Sequence, residues 1–543
     1  MIKKTLASYL MRMVVSCQQN CSRFTHLLNL PLKANVHTHT SWSGINKEQQ
    51  ATIVWESCGA TLFDCYGPFA DMSCLSCLPD EVLKAIMALI PFKDRLTSCC
   101  LVSKKLHAAA VAATECLELQ YLPSQRAGSL PGWLSHYGQH LTRLHLGCTG
   151  FILQQLPCPM LLELRVRNDY LDVKLEAVQQ CTKLTRLELQ CNITGNHVPG
   201  ADCLSSLGHL QHLRMLPALQ KCPLSRATLG ILQHLTHLET GLTVDNFLQL
   251  GDLASLQELT LHTDWDSSYT YTPVGPNNVP CLEFPPFLKK LCLLDDVEAA
   301  LFSLIPTGLE RLEVERGVWG PAEGPDSFLS GLARLQSLTS LYVDPGKDKG
   351  MPWPPAGPAY AALTASSNLV SLEVKGFTGS DGIGMYVFPA THTLPHLTLF
   401  AWSSALRGED GNDVDPLPVW GAGDLASLVS CCPGLSDIQD LHLQPGLHVS
   451  ELHKLTDLTR LCVNYSCEDM RRFRESMGGL AAVSQLHEVE VTLVCQHFEL
   501  SSLLPLANLT ALTYLRVEWP SDAEDGSDQL LLCRVWKVSK LSA

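Results

Sequence analysis

From residue 141 onwards, apolar residues recur in a short fixed pattern, Leu-x-x-Leu-x-Leu, in which Val, Met or Thr sometimes takes the last place. Its last two apolar positions alternate with other residues, as they do along a strand that buries one face. We therefore predict fifteen short strands, whose cores begin at Leu141, Leu161, Leu184, Leu210, Leu235, Leu256, Leu288, Leu309, Leu338, Leu369, Leu394, Ile438, Leu458, Leu486 and Leu512.

The spacing of these cores predicts how the strands assemble. Successive cores begin about 26 residues apart on average, inside the roughly 20–29-residue range of leucine-rich repeats. A single strand of this length has no core of its own, but stacking joins the apolar faces of neighbours. We predict an α/β fold, a leucine-rich-repeat solenoid over residues 118–520. It has a curved parallel sheet and a helical or irregular convex side, and residues 521–543 form a tail or cap.

The phase of the repeats is ambiguous at one place. The core at Ile438 can also be phased from Leu435, and the gap between it and the core at Leu394 is long enough for a degenerate repeat. Both phasings therefore stay open at this stage.

Residues 78–106, "LPDEVLKAIMALIPFKDRLTSCCLVSKKL", break the repeat pattern. Pro79 suits a helix start, and Asp80 and Glu81 suit the first turn. Asp94 and Ser103 are candidate caps for two further helices, the last with Leu106 turned inward. Three helices this short bury too little surface to fold alone, so the block should contact the repeats or a partner. The first helix carries an apolar stripe at Val82, Leu83, Ile86, Leu89 and Ile90, and Pro91 ends it.

This block resembles an F-box, which we place at residues 73–117. Lys93, Ser103, Lys104 and Lys105 also fit the motif, while Leu106 stands where the family often has an aromatic residue. Two repeats that begin at Cys158 and Cys181 resemble the cysteine-containing repeats of F-box proteins. The partner-binding residues that the resemblance implies are Leu78, Pro79, Glu81, Val82, Leu83, Ile86, Leu89, Ile90, Pro91, Asp94, Leu101 and Val102.

The resemblance implies a non-catalytic subunit of a cullin-RING ubiquitin ligase. The F-box would bind the Skp-family adaptor, and the repeats would capture a target protein. Two alternatives remain open: a repeat scaffold of a cytoskeletal or ciliary assembly whose helical block is only a cap, and an extracellular receptor-type repeat protein. No phosphate-binding loop, kinase signature or serine-hydrolase elbow occurs in the sequence.

Two groups of residues are candidates for contact with a target. Basic residues between the leucines of early repeats would face the concave surface and suit an acidic or phosphorylated segment, although they also fit simple solvation. Acidic residues follow in later repeats, at Glu313, Glu315, Asp344, Glu373, Glu488 and Glu490. Long connections place Trp420 and other aromatics on surface loops, unless each covers its own loop. The binding candidates are Arg143, His145, Arg165, Arg167, Arg186, Arg214, Trp265, Trp319 and Trp353.

Composition bears on the class of partner, on the state of the cysteines and on metal binding. The 543 residues include 39 basic and 54 acidic ones, and a net charge of −15 disfavours nucleic acid as a partner. The 23 cysteines are odd in number and scattered, which predicts small buried residues in a reducing compartment. Cys74 and Cys77 lack a second pair, and His136 and His140 lack a metalloprotease glutamate, so we expect no metal and no cofactor.

The first 72 residues are expected to be a poorly ordered leader. No acidic residue precedes Glu48, whereas Lys3, Lys4 and Arg12 are basic, so an organelle transit segment is the alternative. No apolar run reaches the roughly 18 residues of a membrane-spanning helix. We expect a cytoplasmic or nuclear protein, or a cytoskeletal or ciliary one if the scaffold alternative holds.

Overall fold

The computed structural model divides into two compact units, residues 1–185 and 186–543, which are taken in turn. Among the described residues, no helix is both long enough and apolar enough to cross a membrane. The structure describes residues 80–89, 104–119, 130–147, 152–153, 155–173, 175–193, 204–217, 226–241, 250–262, 283–294, 299–315, 324–344, 357–377, 382–404, 419–443, 449–466, 470–494 and 500–518.

The first unit starts with two helices, and α/β repeats follow. β1 pairs with β2, and β4 pairs with both β2 and β3, in each case in parallel. Short 3-10 helices cover Gly138–His140 and Leu175–Val178. The elements in order are α1 (Asp80–Leu89), α2 (Lys104–Ala112), β1 (Cys116–Leu119), α3 (Leu130–Tyr137), β2 (Arg143–Leu146), β3 (Ile152–Leu153) and β4 (Glu163–Val173).

The second unit is a parallel ladder in which every strand pairs with the next one along the chain. Its strands are β5 (Arg186–Ile193), β6 (His212–Pro217), β7 (His237–Gly241), β8 (Glu258–His262), β9 (Lys290–Leu294), β10 (Arg311–Glu315), β11 (Ser340–Asp344), β12 (Ser371–Phe377), β13 (Leu399–Ser404), β14 (Asp437–Leu443), β15 (Arg460–Ser466), β16 (Glu488–Val494) and β17 (Tyr514–Glu518).

Helices and 3-10 helices alternate with these strands, so the predicted α/β leucine-rich-repeat solenoid is confirmed. The α-helices are α4 (Arg226–Ile231), α5 (Gly324–Leu332), α6 (Ile383–Val387), α7 (Ala422–Cys431) and α8 (Met470–Leu480). The 3-10 helices are Leu250–Asp252, Ala299–Leu304, Pro358–Thr364, Val449–Lys454 and Leu500–Asn508.

A hydrogen-bonded turn leads into the strands. The Leu235 N–H donates to the Leu232 carbonyl at 3.0 Å, and the Leu458 N–H donates to the Leu455 carbonyl at 3.1 Å. Both pairs of leucines are fully buried. The sequence unit that specifies a repeat is therefore an apolar residue, then the first core leucine three positions later, and then the strand. This turn pairs backbone groups that burial would otherwise leave without partners.

Threonine often follows the first core leucine, and the structure gives the reason. The hydroxyls of Thr236 and Thr513 donate to the carbonyls of Gln211 and His487, each at 3.0 Å. These carbonyls belong to the preceding repeat and each also accepts two backbone N–H groups. The hydroxyl is thus a third donor to the same carbonyl between successive repeats.

The core predicted at Leu394 is wrong in phase by three residues. In the ladder, Leu372 pairs with Phe400 and Val374 with Trp402, so the core begins at Leu397. Leu394 instead takes the turn position, where its carbonyl accepts the Leu397 N–H at 3.2 Å. Leucines three residues apart fit both frames, and only the aromatic residues at the last two positions mark the correct one.

The following core begins at Leu435, the second of the two open phasings. Ile438 pairs with Phe400, which makes Ile438 the second apolar position and not the first. A bulge then separates Ile438 from Leu441, and Asp440 has a φ of 55°, in the left-handed region. The extra residue is why residues 438–443 imitate a complete core.

Strand β1 lies outside the fifteen predicted cores. Leu117 pairs with Leu144 and Leu119 with Leu146, so β1 occupies the same place as the strand of a repeat. Its first core position is Thr114, which is buried and donates its hydroxyl to the Ala110 carbonyl at 2.8 Å. Because a hydroxyl replaces the leucine, the Leu-x-x-Leu-x-Leu pattern does not detect this strand.

Trp420 is fully buried, so its expected position on a surface loop is wrong. Its ring centroid lies 5.4 Å from that of Phe400 and 5.8 Å from that of Trp402. Its backbone N–H donates to the His442 carbonyl at 2.8 Å. We call Phe388, Phe400, Trp402 and Trp420 the aromatic plug; it fills the core beside β13 and β14. Trp265, Trp319 and Trp353 lie outside the described residues.

Cysteines in the described part of the chain are free thiols. Only Cys116 among them is exposed, and burial raises the pKa of the Cys181 thiol to about 11. The prediction that cysteines are small buried residues is therefore confirmed for six of these residues. The buried ones are Cys158, Cys181, Cys292, Cys431, Cys432 and Cys462.

Two glycines in helices should respond oppositely to alanine. A Cβ at Gly331 would lie 2.6 Å from the Phe302 Cβ and 3.0 Å from its backbone carbon, so α5 approaches the preceding repeat too closely for a methyl group. Gly331→Ala should lower the free energy of unfolding by about 1–3 kcal/mol. Gly478→Ala, in open space within α8, should raise it by about 0.5–1 kcal/mol. Chemical denaturation measures both, and equal effects would contradict the close packing of α5.

Candidate protein-interaction sites

Side chains that alternate with the core leucines along the strands face away from the core, and we call them the open face of each unit. In the first unit, Arg143 pairs in register with Glu163, and His145 with Arg165. The Arg165 Nε donates to a Glu163 oxygen at 2.6 Å, and the His145 Nε2 lies 3.6 Å from the same oxygen. Glu163 thus contacts both Arg165 and His145, and the side chains of Arg143 and Arg167 are exposed.

In the second unit, the predicted basic residues are held in ion pairs. The Arg186 Nε donates to Glu188 at 2.7 Å. Glu239 binds both the Arg214 Nε at 3.0 Å and the His262 Nε2 at 3.1 Å. Burial alone would raise the pKa of Glu239, but these partners outweigh it and hold the pKa below its ordinary value. Arg186 and Arg214 therefore do not form a purely basic cluster, because glutamates occupy neighbouring open-face positions.

Tyr342 is an open-face residue that the sequence analysis did not single out. It lies on β11 between Glu313 of β10 and Glu373 of β12 in the register of the sheet. The Tyr342 hydroxyl donates to an Asp344 oxygen at 3.3 Å. In the sequence, Tyr342 stands between two core residues of "LTSLYV", and this position predicts that its side chain faces away from the core. The sequence analysis selected residues in this region by charge only, so it missed Tyr342.

Helix α1, which belongs to the first unit, has one buried side and one exposed side. Leu83 is fully buried and Met87 nearly so, whereas Glu81 and Ala88 are exposed. Val82, Ile86 and Leu89 belong to α1, but their side chains are outside the described set. The other proposed adaptor-binding residues lie outside the described residues: Leu78, Pro79, Ile90, Pro91, Asp94, Leu101 and Val102.

The two N-terminal helices contact the first repeats. The Lys84 Nζ lies 2.9 Å from a Glu115 oxygen just before β1, and the His107 Nε2 lies 3.2 Å from the Tyr137 hydroxyl of α3. Leu106 is buried on α2, as predicted. Exposed ion pairs contribute at most about 1 kcal/mol. Burial of the α1 and α2 side chains therefore has to supply most of the attachment.

Residues 75–111 match the F-box domain. No curated protein matches the chain. Among solved structures, the chain is similar to a leucine-rich-repeat protein of Leptospira interrogans, at 15% sequence identity and a TM-score of 0.38. That similarity covers 64% of this chain and 78% of the other.

The F-box match includes both described N-terminal helices. It ends at residue 111, within α2, and β1 starts at Cys116. The F-box segment is thus joined to the repeats with almost no linker. Because α2 also packs through His107 against α3, the position of the F-box segment relative to the first repeats is set by direct contacts.

In the described part of the chain, no group of three or more His, Cys, Asp or Glu side chains is placed to hold a metal ion. His136 is exposed and its Nδ1 lies 2.8 Å from the Gly132 carbonyl of its own helix. Cys74 and Cys77 lie outside the described residues. The candidate sites in the described part of the chain are the open faces of the repeats and the F-box segment.

Proposed function

We propose that this chain is a substrate-recognition subunit of a cullin-RING ubiquitin ligase, in the cytoplasm or nucleus. Its F-box segment binds a Skp-family adaptor, and its repeats bind a target protein. The observation that carries the proposal is the F-box match at residues 75–111, placed directly before a leucine-rich-repeat ladder.

The proposed mechanism is positional. A target held on the repeats is brought near the ubiquitin-charged enzyme, so that an encounter in solution becomes an intramolecular one at high effective concentration. Contacts such as that of Lys84 with Glu115 support this role, since they join the described F-box helices to the first repeats. No side chain of this chain needs to react.

A repeat scaffold is the second candidate. The same contacts of α1 and α2 with the first repeats are those of a helical cap, and repeat arrays need a cap at their ends. The two candidates differ in one respect, because only the ligase subunit requires an adaptor.

Capture of a purified Skp-family adaptor by the full-length chain separates them. We expect the double variant Leu78→Ala/Pro79→Ala to bind roughly thirtyfold more weakly, as when an interface hot spot of about 2 kcal/mol is removed. Titration by calorimetry measures the affinity, and circular dichroism checks that the fold is retained.

Leu504→Ala is the matched control, since Leu504 is 68% exposed and belongs to the second unit. Its adaptor affinity should equal that of the unmodified chain. A chain that fails to bind the adaptor at all would exclude the ligase subunit and leave the scaffold. The binding of an acidic target by Arg143, His145, Arg165 and Arg167 stays a separate prediction.

A further inference from the structure

The open face of β10–β12 gathers carboxylates around one aromatic ring. Glu313, Tyr342 and Glu373 are neighbours in one row across the three strands, and Glu315 pairs with Asp344 in the next row. Adjacent strands lie about 4.8 Å apart. The Tyr342 ring therefore stands between two glutamates, with two more carboxylates one step further along the strands.

Two of these carboxylates, Glu315 and Glu373, differ in their ion-pair partners from the other carboxylates on the open face of the second unit. Glu188 and Glu239 have arginine partners, and Glu313 has the Arg311 guanidinium at 2.6 Å. Glu315 and Glu373 have no Lys, Arg or His within ion-pair distance among the described residues. Among the described residues, Glu315 and Glu373 therefore carry negative charge that no ion pair offsets.

The tyrosine ring already holds a cation. The Lys375 Nζ lies 5.2 Å from the centroid of the Tyr342 ring, within the range of a cation–π contact. Ser340 and Ser371 are the open-face residues that precede Tyr342 and Glu373 on their strands, and both are small. The same row also contains Arg311, which pairs in register with Ser340 and binds Glu313. Burial, followed by the charges of Asp344 and Glu315, raises the pKa of the Tyr342 hydroxyl, as expected where the potential is negative.

We propose that the open face of β10–β12 is a docking surface for a basic segment of the target protein. A Lys or Arg side chain of that segment stacks on the Tyr342 ring in place of Lys375, while Glu315, Asp344 and Glu373 supply the opposing charge. The proposal names the target class within the proposed receptor function and rests on that function for its biological role.

Charge complementarity selects this occupant over others. An acidic or phosphorylated segment would add negative charge beside Glu315 and Glu373, which have no cation within ion-pair distance among the described residues, and this is unfavourable. A guanidinium or ammonium group meets both the ring face and the carboxylates. Because adjacent strands present the row Glu313, Tyr342 and Glu373 at regular spacing, an extended segment that crosses the strands can turn alternate side chains toward it.

The test uses the full-length chain and a fluorescently labelled peptide of alternating Gly and Arg, with a Gly and Glu peptide as the negative probe. Anisotropy titrations should show binding of the basic peptide that weakens as salt is added. Tyr342→Leu should weaken it about two- to fivefold, and Tyr342→Phe should leave it unchanged. The double variant Glu315→Gln/Glu373→Gln should weaken it about tenfold, as the loss of two exposed ion pairs predicts.

The matched control is Glu258→Gln/Glu488→Gln, which removes the same charge from strands β8 and β16 of the same open face, where both side chains are 48% exposed. It should retain the basic-peptide affinity. Equal weakening in the control would mean that only the overall charge attracts the peptide, and this would overturn the proposal. So would unchanged binding in Tyr342→Leu or in the Glu315/Glu373 double variant, or absence of binding in the unmodified chain.

Adaptor capture by the same variants keeps this proposal distinct from the proposed function. All of them should bind the Skp-family adaptor as the unmodified chain does, because β10–β12 belong to the second unit and the F-box segment to the first. If the adaptor fails to bind while the peptide result holds, the docking surface stands and the ligase role falls.

Discussion

Replacing Trp420 by alanine is expected to lower the free energy of unfolding of the second unit by about 3–5 kcal/mol, the cost typical of a buried large aromatic residue. Trp420 is fully buried and its ring contacts Phe388, Phe400 and Trp402. The neighbouring residues cannot collapse into the space, because α6 and α7 already meet there. A Cβ at Gly384 would lie 2.6 Å from the Asp424 Cβ.

The loss should be local. Repeats interact mainly with their neighbours, so hydrogen exchange should accelerate first in β13, β14 and α7. Trp420→Phe keeps an aromatic ring and should cost clearly less than Trp420→Ala. Phe287→Ala is the matched control, since Phe287 is 68% exposed and its removal should change stability by about 0.5 kcal/mol or less. A Trp420→Ala variant as stable as Phe287→Ala would contradict the aromatic plug.

The leucine pattern predicted most of the fold because burial alternates with the sequence. Along β10, Leu312 and Val314 are buried while Arg311 and Glu315 are exposed, as an alternating strand requires. Periodicity finds such strands wherever leucine fills the core positions. It fails where another residue type performs the same task, as Thr114 does before β1 and as Phe400 and Trp402 do in β13.

Backbone irregularities are a second kind of feature that the leucine pattern does not predict. The bulge in β14 depends on the left-handed conformation of Asp440, and aspartate occurs in many ordinary positions as well. Nothing in "LSDIQDLHL" separates a bulged strand from two overlapping cores. Only the register with β13 and β15 makes the choice.

The candidate sites were predicted less completely than the fold. The apolar pattern of the F-box segment correctly predicted its two described helices, and the Leu83 and Leu106 side chains are buried in them. The charges of the open face were foreseen, but their pairing was not. Whether Arg186 or Arg214 is available depends on Glu188 and Glu239, and the latter comes from the adjacent repeat. Net charge per repeat cannot show which carboxylates remain without a partner.

Replacing Leu83 by aspartate is expected to disrupt the packing of α1 against α2 and to abolish binding of the adaptor. Leu83 is fully buried, and removal of such a leucine side chain costs about 2–5 kcal/mol even without an added charge. A buried carboxylate adds a desolvation cost. The small F-box segment has too little buried surface to absorb this loss.

Ala88→Asp places the same carboxylate on the exposed side of the same helix, where solvent hydrates it. Limited proteolysis should cleave residues 80–112 quickly in Leu83→Asp and slowly in Ala88→Asp, while the second unit stays protected in both. Thermal unfolding of the second unit should also be nearly unchanged, since it is compact by itself. If Leu83→Asp resists proteolysis as Ala88→Asp does, then Leu83 is not part of a core.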